Sequence, residues 1–429
     1  MTSTSDLLAR RDRLLGPNMS TFYRDPVHIV KGEGVWLTDV DGRRYLDCYN
    51  NVPHVGHCHP KVVEAIAQQA ATLNTHTRYL HEGILDYVEA LTAKFADHLT
   101  SAIMVCSGSE ANDVALRMAE AVTGNKGVIA TDMTYHGNTA AVSQLSIRKP
   151  PIGGYATHIR HVPAPDSVRP LSGKPGAEFA AAFTAKVEQA VAGLQASGHG
   201  VASLIICPFF ANEGFPDLPR GFLDGAVKAV RVAGGVIIAD EVQPGFGRIG
   251  THWWGHEKIG IAPEIVTIGK PMANGHPVAA VIAGYETLSA FRHAFGYFNT
   301  FGGNPVSCAA AMAVLEIIDE EGLVANALDV GNYAQKGLRE LQAQFPVIGN
   351  VRGSGLFFGA EMVLDEQMTP ASDFTLAIVE GMKAKGILLN RLGHEYATLK
   401  IRPPMVFSRE NVGFLINALG DVLQETPAP

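Results

Sequence analysis

The sequence predicts an α/β protein with a mainly parallel β-sheet flanked by helices, plus a second, smaller α+β domain. Between residues 56 and 304, short apolar runs alternate with helical patterns, as is typical of βαβ units and a parallel sheet. The two ends of the chain instead carry short strands, turns and long helices. We therefore expect the smaller domain to be discontinuous in sequence, with contributions from both ends.

The N-terminal elements are short. Residues 27–30 and 35–38 have the pattern of two strands, and the pair Asp41-Gly42 follows them as a turn signal. Residues 1–55 are predicted to form an N-terminal segment and part of the small domain.

The middle of the chain supplies the predicted sheet. Its strand candidates are the apolar runs 102–106, 128–130, 203–207, 235–239, 265–268 and 278–283. A helical pattern follows the first run, and Ser107 with Glu110 fits the capping box that opens a helix, although Ser109 is an alternative cap. Residues 150–176, rich in proline and glycine, are predicted to be a long surface loop. The large domain is assigned to residues 56–304.

The C-terminal part, residues 305–429, is assigned to the small domain. Helical patterns cover 306–320 and 324–344, and a strand is predicted at 356–362. The glycines of residues 353–359 superficially resemble a dinucleotide-binding loop. That interpretation is rejected because the segment precedes a strand instead of joining a strand to a helix.

Composition excludes several classes of protein. The chain has 429 residues, 34 Lys and Arg against 42 Asp and Glu, and a net charge of −8, without a basic run that would bind nucleic acid. Five scattered cysteines do not form a disulfide framework. The N-terminus lacks the apolar core of a secretory signal, and no stretch approaches about 18 uninterrupted apolar residues. We expect a cytoplasmic enzyme.

Four features lie at the predicted carboxyl ends of strands, where open α/β sheets bind ligands. Ser107-Gly108-Ser109 joins a strand to a helix N-terminus, a position suited to a phosphate group. The alternative is a turn in which Ser and Gly are present for conformational reasons alone. Tyr135, in Tyr135-His136-Gly137, could stack on a heteroaromatic ring, or simply pack beneath a loop.

The other two features carry charge. Asp240 ends a strand and could keep a pyridine nitrogen protonated, while Gln243 could bond a phenolic oxygen on the same ring. Asp240 could instead cap the next turn. Lys270 ends the next apolar strand and could form an imine with an aldehyde, although a lone lysine there is more often a solvated strand end. The spacing of 30 residues between the two favours a shared site.

These motifs together resemble the class III aminotransferases, a family of pyridoxal 5′-phosphate (PLP) enzymes. The resemblance extends over nearly the whole chain and is carried by Ser-Gly-Ser-Glu-Ala-Asn (107–112), Tyr-His-Gly (135–137), Asp-Glu-Val-Gln (240–243), Gly-Lys (269–270) and Asn-Thr-Phe-Gly-Gly-Asn-Pro (299–305). It implies PLP fold type I, with a sheet of the seven-stranded type. It also implies that PLP is bound by Ser107, Gly108, Ser109, Tyr135, His136, Asp240, Gln243 and, as an imine, Lys270.

The resemblance further implies a homodimer, or a dimer of dimers, with shared active sites. Thr300 of the partner subunit would join the phosphate site, and Arg402 matches the position where many members hold a substrate carboxylate. The chain departs from the family at Cys207-Pro208, where many members carry Glu-Pro. Glu213 lies six residues further on and is not at the matching position. The departure therefore puts the alignment of the substrate in question, and not the binding of the cofactor.

Two reactions fit such a site: transamination between an amine or amino acid and a keto acid, and elimination of phosphate from a phosphorylated or phosphonated amine. The N-terminal segments 22–30, 45–52, 54–60 and 73–81 resemble the branch that holds the ethanolamine-phosphate and phosphohydroxylysine phospho-lyases as well as aminotransferases. Arg24, Asn50, Asn51 and Arg78 could bind a phosphate, and Tyr23 is a further candidate substrate residue. Alternatively, this segment builds the dimer interface and the arginines form ion pairs. We favour transamination because it is the commoner reaction in the family.

A metal site is not predicted. His54, His57, Cys58 and His59 do not have the spacing of a familiar zinc pattern, and no second pair follows nearby.

Overall fold

The computed structural model describes residues 3–427. Its strands are β1 (Ile29–Glu33), β2 (Trp36–Asp39), β3 (Arg44–Asp47), β4 (Ser101–Val105), β5 (Val128–Thr131), β6 (Ile159–Val162), β7 (Ser203–Ile206), β8 (Val236–Asp240), β9 (Ile265–Ile268), β10 (Ala279–Ala283), β11 (Ile348–Ser354), β12 (Phe357–Met362), β13 (Ile387–Leu388), β14 (Asn390–Leu392) and β15 (Thr398–Lys400). Its α-helices are α1 (Thr4–Leu15), α2 (Pro60–Thr72), α3 (Glu82–Thr92), α4 (Gly108–Thr123), α5 (Ala177–Ala196), α6 (Asp224–Val232), α7 (Gly255–Ile259), α8 (Tyr285–Ala294), α9 (Pro305–Glu320), α10 (Leu323–Gln342), α11 (Ser372–Ala384) and α12 (Arg409–Glu425).

The central sheet has seven strands in the order β4-β10-β9-β8-β7-β5-β6. Strands β5 to β9 pair in parallel, and β10 runs antiparallel to both of its neighbours. The mainly parallel sheet confirms the predicted α/β class. All residues of β7, β8 and β9 are buried, because helices cover both faces and leave no alternation of polar and apolar positions.

The predicted loop at 150–176 is wrong in one respect, because it contains strand β6. This strand pairs in parallel with β5 at the edge of the sheet. Its four residues, Ile-Arg-His-Val, are buried only at the two ends, and proline and glycine flank them on both sides. A short edge strand needs little apolar sequence, so the turn-forming residues around it dominated the prediction.

Two smaller sheets complete the fold. β1, β2 and β3 form an antiparallel meander, and the C-terminal strand β13 adds to it in parallel beside β3. The ends of the chain therefore meet in one sheet. The domain limits 1–55, 56–304 and 305–429 stay predictions. Residues 1, 2, 428 and 429 lie outside the described residues. The last sheet has the order β11-β12-β15-β14, and its strand β15 ends at Lys400.

Within residues 3–427, no helix is both long and apolar enough to cross a membrane.

The β12–β15 contact generates a stability prediction. A Cβ added to Gly359 would lie 1.8 Å from the carbonyl oxygen of Leu399, so Gly359→Ala must push these strands apart. Overpacking of this kind costs about 1–3 kcal/mol or more of unfolding free energy. Gly413→Ala is the control, because its Cβ would meet nothing within 4 Å and alanine stabilises a helix by about 0.5–1 kcal/mol. Urea denaturation of both variants measures the difference, and equal stabilities would contradict the packing.

Candidate active site

The carboxyl ends of five strands of the central sheet converge on one pocket. Its lining comprises Gly108, Ser109, Tyr135, His136, Gly137, Cys207, Asp240, Val242, Gln243 and Lys270. The structure thus brings together residues that follow β4, β5, β7, β8 and β9, which lie up to 162 positions apart in sequence, from 108 to 270. Such convergence is what a parallel sheet imposes on residues that follow its strands.

The N-terminus of α4 forms one wall of the pocket. Ser107 caps this helix with its hydroxyl oxygen, which accepts from the amide of Glu110 at 3.3 Å, and the Glu110 carboxylate accepts from the amide of Cys106 at 2.8 Å. The predicted helix start is therefore confirmed, with the carboxylate bonded one residue earlier than in a standard capping box. The free amides and the helix dipole suit a phosphate group at this wall.

Glycines keep this wall open. A Cβ on Gly108 would lie 3.1 Å from the methyl groups of Val242. Gly137 has a φ of +143°, and a Cβ there would lie 2.5 Å from the Ser109 hydroxyl. The loop that carries Tyr135 can therefore pack against the helix start only if residue 137 is glycine. Tyr135 itself is 49% exposed and borders the pocket.

Asp240 is buried, and both of its carboxylate oxygens form hydrogen bonds with neighbouring protein groups. Its Oδ2 atom accepts from Asn112 Nδ2 at 2.9 Å and pairs with His136 Nδ1 at 2.6 Å. Its Oδ1 atom accepts from the amide of Val242 at 3.0 Å. These donors stabilise the ionised carboxylate inside the protein, where an unpaired charge would be costly. The arrangement provides a fixed negative charge that faces the pocket.

One member of this network, Asn112, was missed from the sequence, and a second, His136, has contacts that the sequence did not indicate. Asn112 is oriented by Thr267, whose hydroxyl donates to Asn112 Oδ1 at 2.7 Å. His136 was assigned to the cofactor, but in the structure its ring lies between Asp240 and Thr134 Oγ1, at 3.0 Å from the latter. Both side chains are buried, so their contacts orient Asp240. A polar residue five positions into an apolar helix was the available signal for Asn112.

Lys270 follows β9 and is reachable from solvent through the pocket, although protein atoms surround it on most sides. Its pKa is lowered, first by burial and then by the positive charge of Arg402, against the opposing effect of Asp240. A lowered pKa makes the neutral amine, which is the nucleophilic form, more accessible at physiological pH.

Cys207 lines the pocket at the position where the resemblance led us to expect a glutamate. Burial raises the pKa of its thiol well above the ordinary value, and the charges of Asp240 and Glu213 act in the same direction. Glu213 does not take the place of that glutamate. Its Oε1 atom accepts from Thr131 at 2.8 Å, and its side chain borders a different cleft, beside Arg352 and Glu361.

A pair of buried cations lies behind the pocket. Lys400, at the end of β15, and Arg402 are each 4% exposed. The oxygen of Gln243 accepts from Lys400 Nζ at 3.0 Å and also from Arg402 Nη1. The remaining contacts are to backbone carbonyls: Lys400 to Ala211 at 3.3 Å, and Arg402 to Tyr49 at 3.3–3.4 Å. Among the described residues, neither cation forms an ion pair with a carboxylate.

Burial lowers the pKa of both cations. Burial and the charges of Arg402 and Lys270 hold the pKa of Lys400 well below its ordinary value. Burial lowers the pKa of Arg402 to about 10, while Tyr49 and Asp47 oppose the shift. Lys400 was not predicted from the sequence, where its only signal is a lysine inside an apolar strand, two residues before Arg402.

The other predicted substrate residues do not line this pocket. Arg24 and Arg78 are exposed, and the described residues hold no carboxylate ion-paired to either. The alternative that they form ion pairs at a dimer interface stays a prediction. The Arg78 guanidinium lies 3.9 Å from the ring centroid of Phe298, near Thr300, which is also exposed. Sequence neighbours of Arg78 and Thr300, among them Tyr79 and Asn299, line one surface pocket together.

Tyr23 and Asn51 lie inside the fold. The Tyr23 hydroxyl donates to the carbonyl of Leu389 at 3.0 Å. Asn51 is buried, and neither polar atom of its side chain has a hydrogen-bond partner in the described chain. The segment 49–51 adjoins the cation pair, because Arg402 donates to the carbonyl of Tyr49.

The N-terminal histidines take separate partners. His54 Nε2 donates to the carbonyl of Phe246 at 2.8 Å, His57 pairs with Asp47 at 2.7 Å, and His59 with Glu321 at 3.2 Å. Over residues 3–427, no group of three or more His, Cys, Asp or Glu side chains is arranged to hold a metal ion.

The pocket matches the chemical groups of PLP one by one. The start of α4, opened by Gly108, fits the phosphate, and the Asp240 carboxylate fits the pyridinium nitrogen. Lys270 fits the aldehyde, because it is an amine with a lowered pKa in the same pocket. When bound, PLP supplies an electron sink for a substrate carbanion.

The chain is similar to proteins of two activities. An alanine–glyoxylate aminotransferase 2-like protein from Drosophila melanogaster is 42% identical over 99% of this chain and 88% of its own length. An ethanolamine-phosphate phospho-lyase homolog from Caenorhabditis elegans is 36% identical over 98% and 94%. Among solved structures, a phospholyase from Arthrobacter in complex with phosphoethanolamine has 44% identity and a TM-score of 0.94, over 98% of this chain and 100% of that one.

The family model described as aminotransferase class-III matches residues 20–423, nearly the whole chain. The fold is PLP fold type I, and the cofactor is pyridoxal 5′-phosphate. The converging strand ends and the full-length match lead to one conclusion: this chain is an enzyme that belongs to the class III aminotransferase family of PLP-dependent proteins.

Proposed function

We propose that this enzyme is a PLP-dependent phospho-lyase that eliminates phosphate from a small phosphorylated primary amine such as phosphoethanolamine. The observation that carries the proposal is the buried pair of Lys400 and Arg402, which lacks a carboxylate partner in the described chain. Phosphate is a dianion near neutral pH, and it accepts charge-assisted hydrogen bonds from two cations better than a carboxylate does.

The charge balance of the pocket supports a dianionic substrate. Asp240 is the one acid that lines the pocket in the described residues, and its oxygens are held by its own network. Asp47 is near Arg402, but its carboxylate accepts from Asn50 and pairs with His57. With Cys207 in place of a glutamate, no side chain in the pocket neutralises the two cations.

In the proposed elimination, Lys270 transfers a proton, and Lys400 and Arg402 stabilise the leaving group. Lys270 Nζ removes a proton from the carbon that bears the amino group, and the carbon–oxygen bond to phosphate breaks with its electron pair on phosphate. Lys400 and Arg402 stabilise the charge on the leaving group. The two-carbon fragment is left with a carbon–carbon double bond, and its terminal carbon takes up a proton to become a methyl group. Water then replaces the nitrogen, so phosphoethanolamine plus water gives phosphate, acetaldehyde and ammonia without any oxidation or reduction.

Transamination is the second candidate, and the sequence alone favoured it. Arg402 can hold a substrate carboxylate, as the family resemblance implies, and the Drosophila relative is named as an aminotransferase. Elimination is the better-supported proposal because a single substrate carboxylate would match only one charge of a pair that is otherwise held by neutral oxygens. The cofactor roles of Ser107, Ser109, Tyr135 and Gln243 are part of the proposal for either reaction.

The remaining assignments are also proposals. We propose a homodimer in which Thr300 of the partner subunit joins the phosphate site, since Thr300 and Arg78 are exposed and their sequence neighbours line one surface pocket. We also propose that the substrate is contacted by Arg24, Arg78, Asn51 and Tyr23. Asn51 is the strongest candidate of the four, because its buried amide has no hydrogen-bond partner among the described residues. The cytoplasmic location stays a prediction.

The reaction can be tested directly on the PLP-loaded enzyme. Phosphoethanolamine should release phosphate and acetaldehyde in equal amounts, without any added keto acid. Common amino donors with pyruvate or 2-oxoglutarate should give little keto-acid product under the same conditions. Product that depends strictly on a keto acid, with no phosphate released, would establish the aminotransferase instead.

The cation pair generates a prediction about specificity. Lys400→Gln should raise KM for phosphoethanolamine by about 10- to 150-fold, the effect of losing a charge-assisted hydrogen bond worth about 1.5–3 kcal/mol. The control is Lys336→Gln, because Lys336 is exposed and its one ion pair is long, at 3.8 Å. An unchanged KM in Lys400→Gln, with thermal stability preserved, would remove Lys400 from substrate binding.

The lowered pKa of Lys400 generates a pH prediction. A lysine binds phosphate in its charged form, which is present below its pKa and lost as the pH rises through it. Since burial holds this pKa well below the ordinary value, kcat/KM for phosphoethanolamine should fall with rising pH within the working range. It should also fall below about pH 6, where phosphate gains a proton. Lys400→Gln should lose the alkaline decline, and a decline that persists unchanged must belong to another group.

A further inference from the structure

The orientation of the Gln243 amide is determined by its two cationic neighbours. Arg402 carries a guanidinium, and Lys400 a buried amine, both directed at the oxygen of Gln243. A guanidinium can only donate hydrogen bonds, so the carbonyl oxygen must face Arg402, and Lys400 Nζ donates to the same oxygen. The NH2 group of Gln243 is then directed to the other side, and Gln243 lines the Lys270 pocket.

The two cations are themselves held by rigid groups. Lys400 donates to the carbonyl of Ala211, and its Nζ atom lies 5.4 Å from the ring centroid of Phe357. Arg402 donates through Nε and Nη2 to the carbonyl of Tyr49. Because these anchors are backbone carbonyls and a buried ring, neither cation can turn away without leaving a buried charge unpaired.

Among the described residues, Gln243 Nε2 donates to no protein acceptor, although the oxygen of the same amide accepts twice. A pocket-lining amide with a satisfied oxygen and a free nitrogen is prepared to donate to a bound molecule. Hydrogen bonds in a chain polarise one another, so the two cations strengthen the Nε2–H donor.

We propose that Lys400 is a positioning residue that acts through Gln243 on the bound cofactor. Lys400 and Arg402 fix the amide so that Nε2 donates to the phenolic oxygen of PLP, and they strengthen that hydrogen bond by withdrawing electron density from the Gln243 carbonyl. This role concerns the cofactor before any substrate arrives. It therefore holds for a phospho-lyase and for an aminotransferase alike.

The test uses the PLP-loaded enzyme without substrate and follows its visible absorbance against pH. A hydrogen bond donated to the phenolic oxygen stabilises the form that has lost the proton shared by this oxygen and the Lys270 nitrogen. Such a donor therefore lowers the pH midpoint. Lys400→Met should therefore raise the pH midpoint by about 0.5–1 unit, the size that one ordinary hydrogen bond produces. Lys400→Arg retains a cationic donor and should restore most of the difference.

A double-mutant cycle separates the action through Gln243 from a direct effect of charge through space. Gln243→Leu should raise the midpoint by a similar amount, and adding Lys400→Met to it should change little further. If Lys400→Met shifts the midpoint equally in both backgrounds, the action through Gln243 is disproved. No shift in Lys400→Met would disprove it as well.

Gln243→Glu tests the proposal without altering Lys400, in case the Lys400 variants do not fold. A carboxylate accepts from both cations at least as well as the amide does, but it has no hydrogen to donate to the cofactor. Its midpoint should rise at least as far as that of Gln243→Leu. An unchanged midpoint would show that Nε2 does not donate to the cofactor. Because no substrate is present, none of these outcomes depends on the phospho-lyase proposal.

Discussion

The buried carboxylate of Asp240 is the group on which the rest of the site depends. Its two oxygens are held by donors from three places: Asn112 on α4, His136 in the loop after β5, and the amide of Val242 after β8. Thr267 on β9 orients Asn112 in turn. An ionised group in the interior is stable only when its hydrogen-bonding capacity is met, so this one charge fixes how four elements meet at the carboxyl edge of the sheet. The N-terminus of α4, which forms one wall of the pocket, and Lys270, which follows β9, belong to these same elements.

The cation pair shows why the site needs more than the central sheet. Lys400 and Arg402 come from the end of β15, in the sheet formed by the C-terminal part of the chain, yet both bond to Gln243 after β8. The same segment is tied to the N-terminal region, because the amide of Arg402 donates to the carbonyl of Cys48 at 2.7 Å. The part of the pocket that holds Asp240 and Lys270 is built by the central sheet, and the cation pair behind it is held by both ends of the chain.

The sequence was sufficient to predict the location of residues that lie at the ends of strands. Ser107, Asp240 and Lys270 each follow an apolar run, and a parallel sheet places such residues at one edge. Residues whose role depends on packing between distant elements were not predictable. Asn112 matters because α4 lies against β8 and β9, and Lys400 because β15 carries it to Gln243. The edge strand β6 was missed because its four residues carry little apolar signal. Arg78 and Thr300 are exposed, and the role in a dimer that we propose for them is not encoded in the periodicity of the sequence.

The cysteine at position 207 connects these features to specificity. Many family members carry a glutamate there, and a carboxylate in that place would neutralise one of the two cations and leave a charge suited to a single carboxylate on the substrate. Cys207 is buried, and its raised pKa keeps the thiol neutral, so it contributes no negative charge. The cations are then satisfied by neutral oxygens alone, from Gln243, Ala211 and Tyr49. Neutral acceptors stabilise a buried cation less than an anion does, and a substrate that brings two negative charges gains the difference. Under the proposed phospho-lyase activity, the absence of a carboxylate at position 207 would favour a dianionic substrate without altering Asp240 or Lys270.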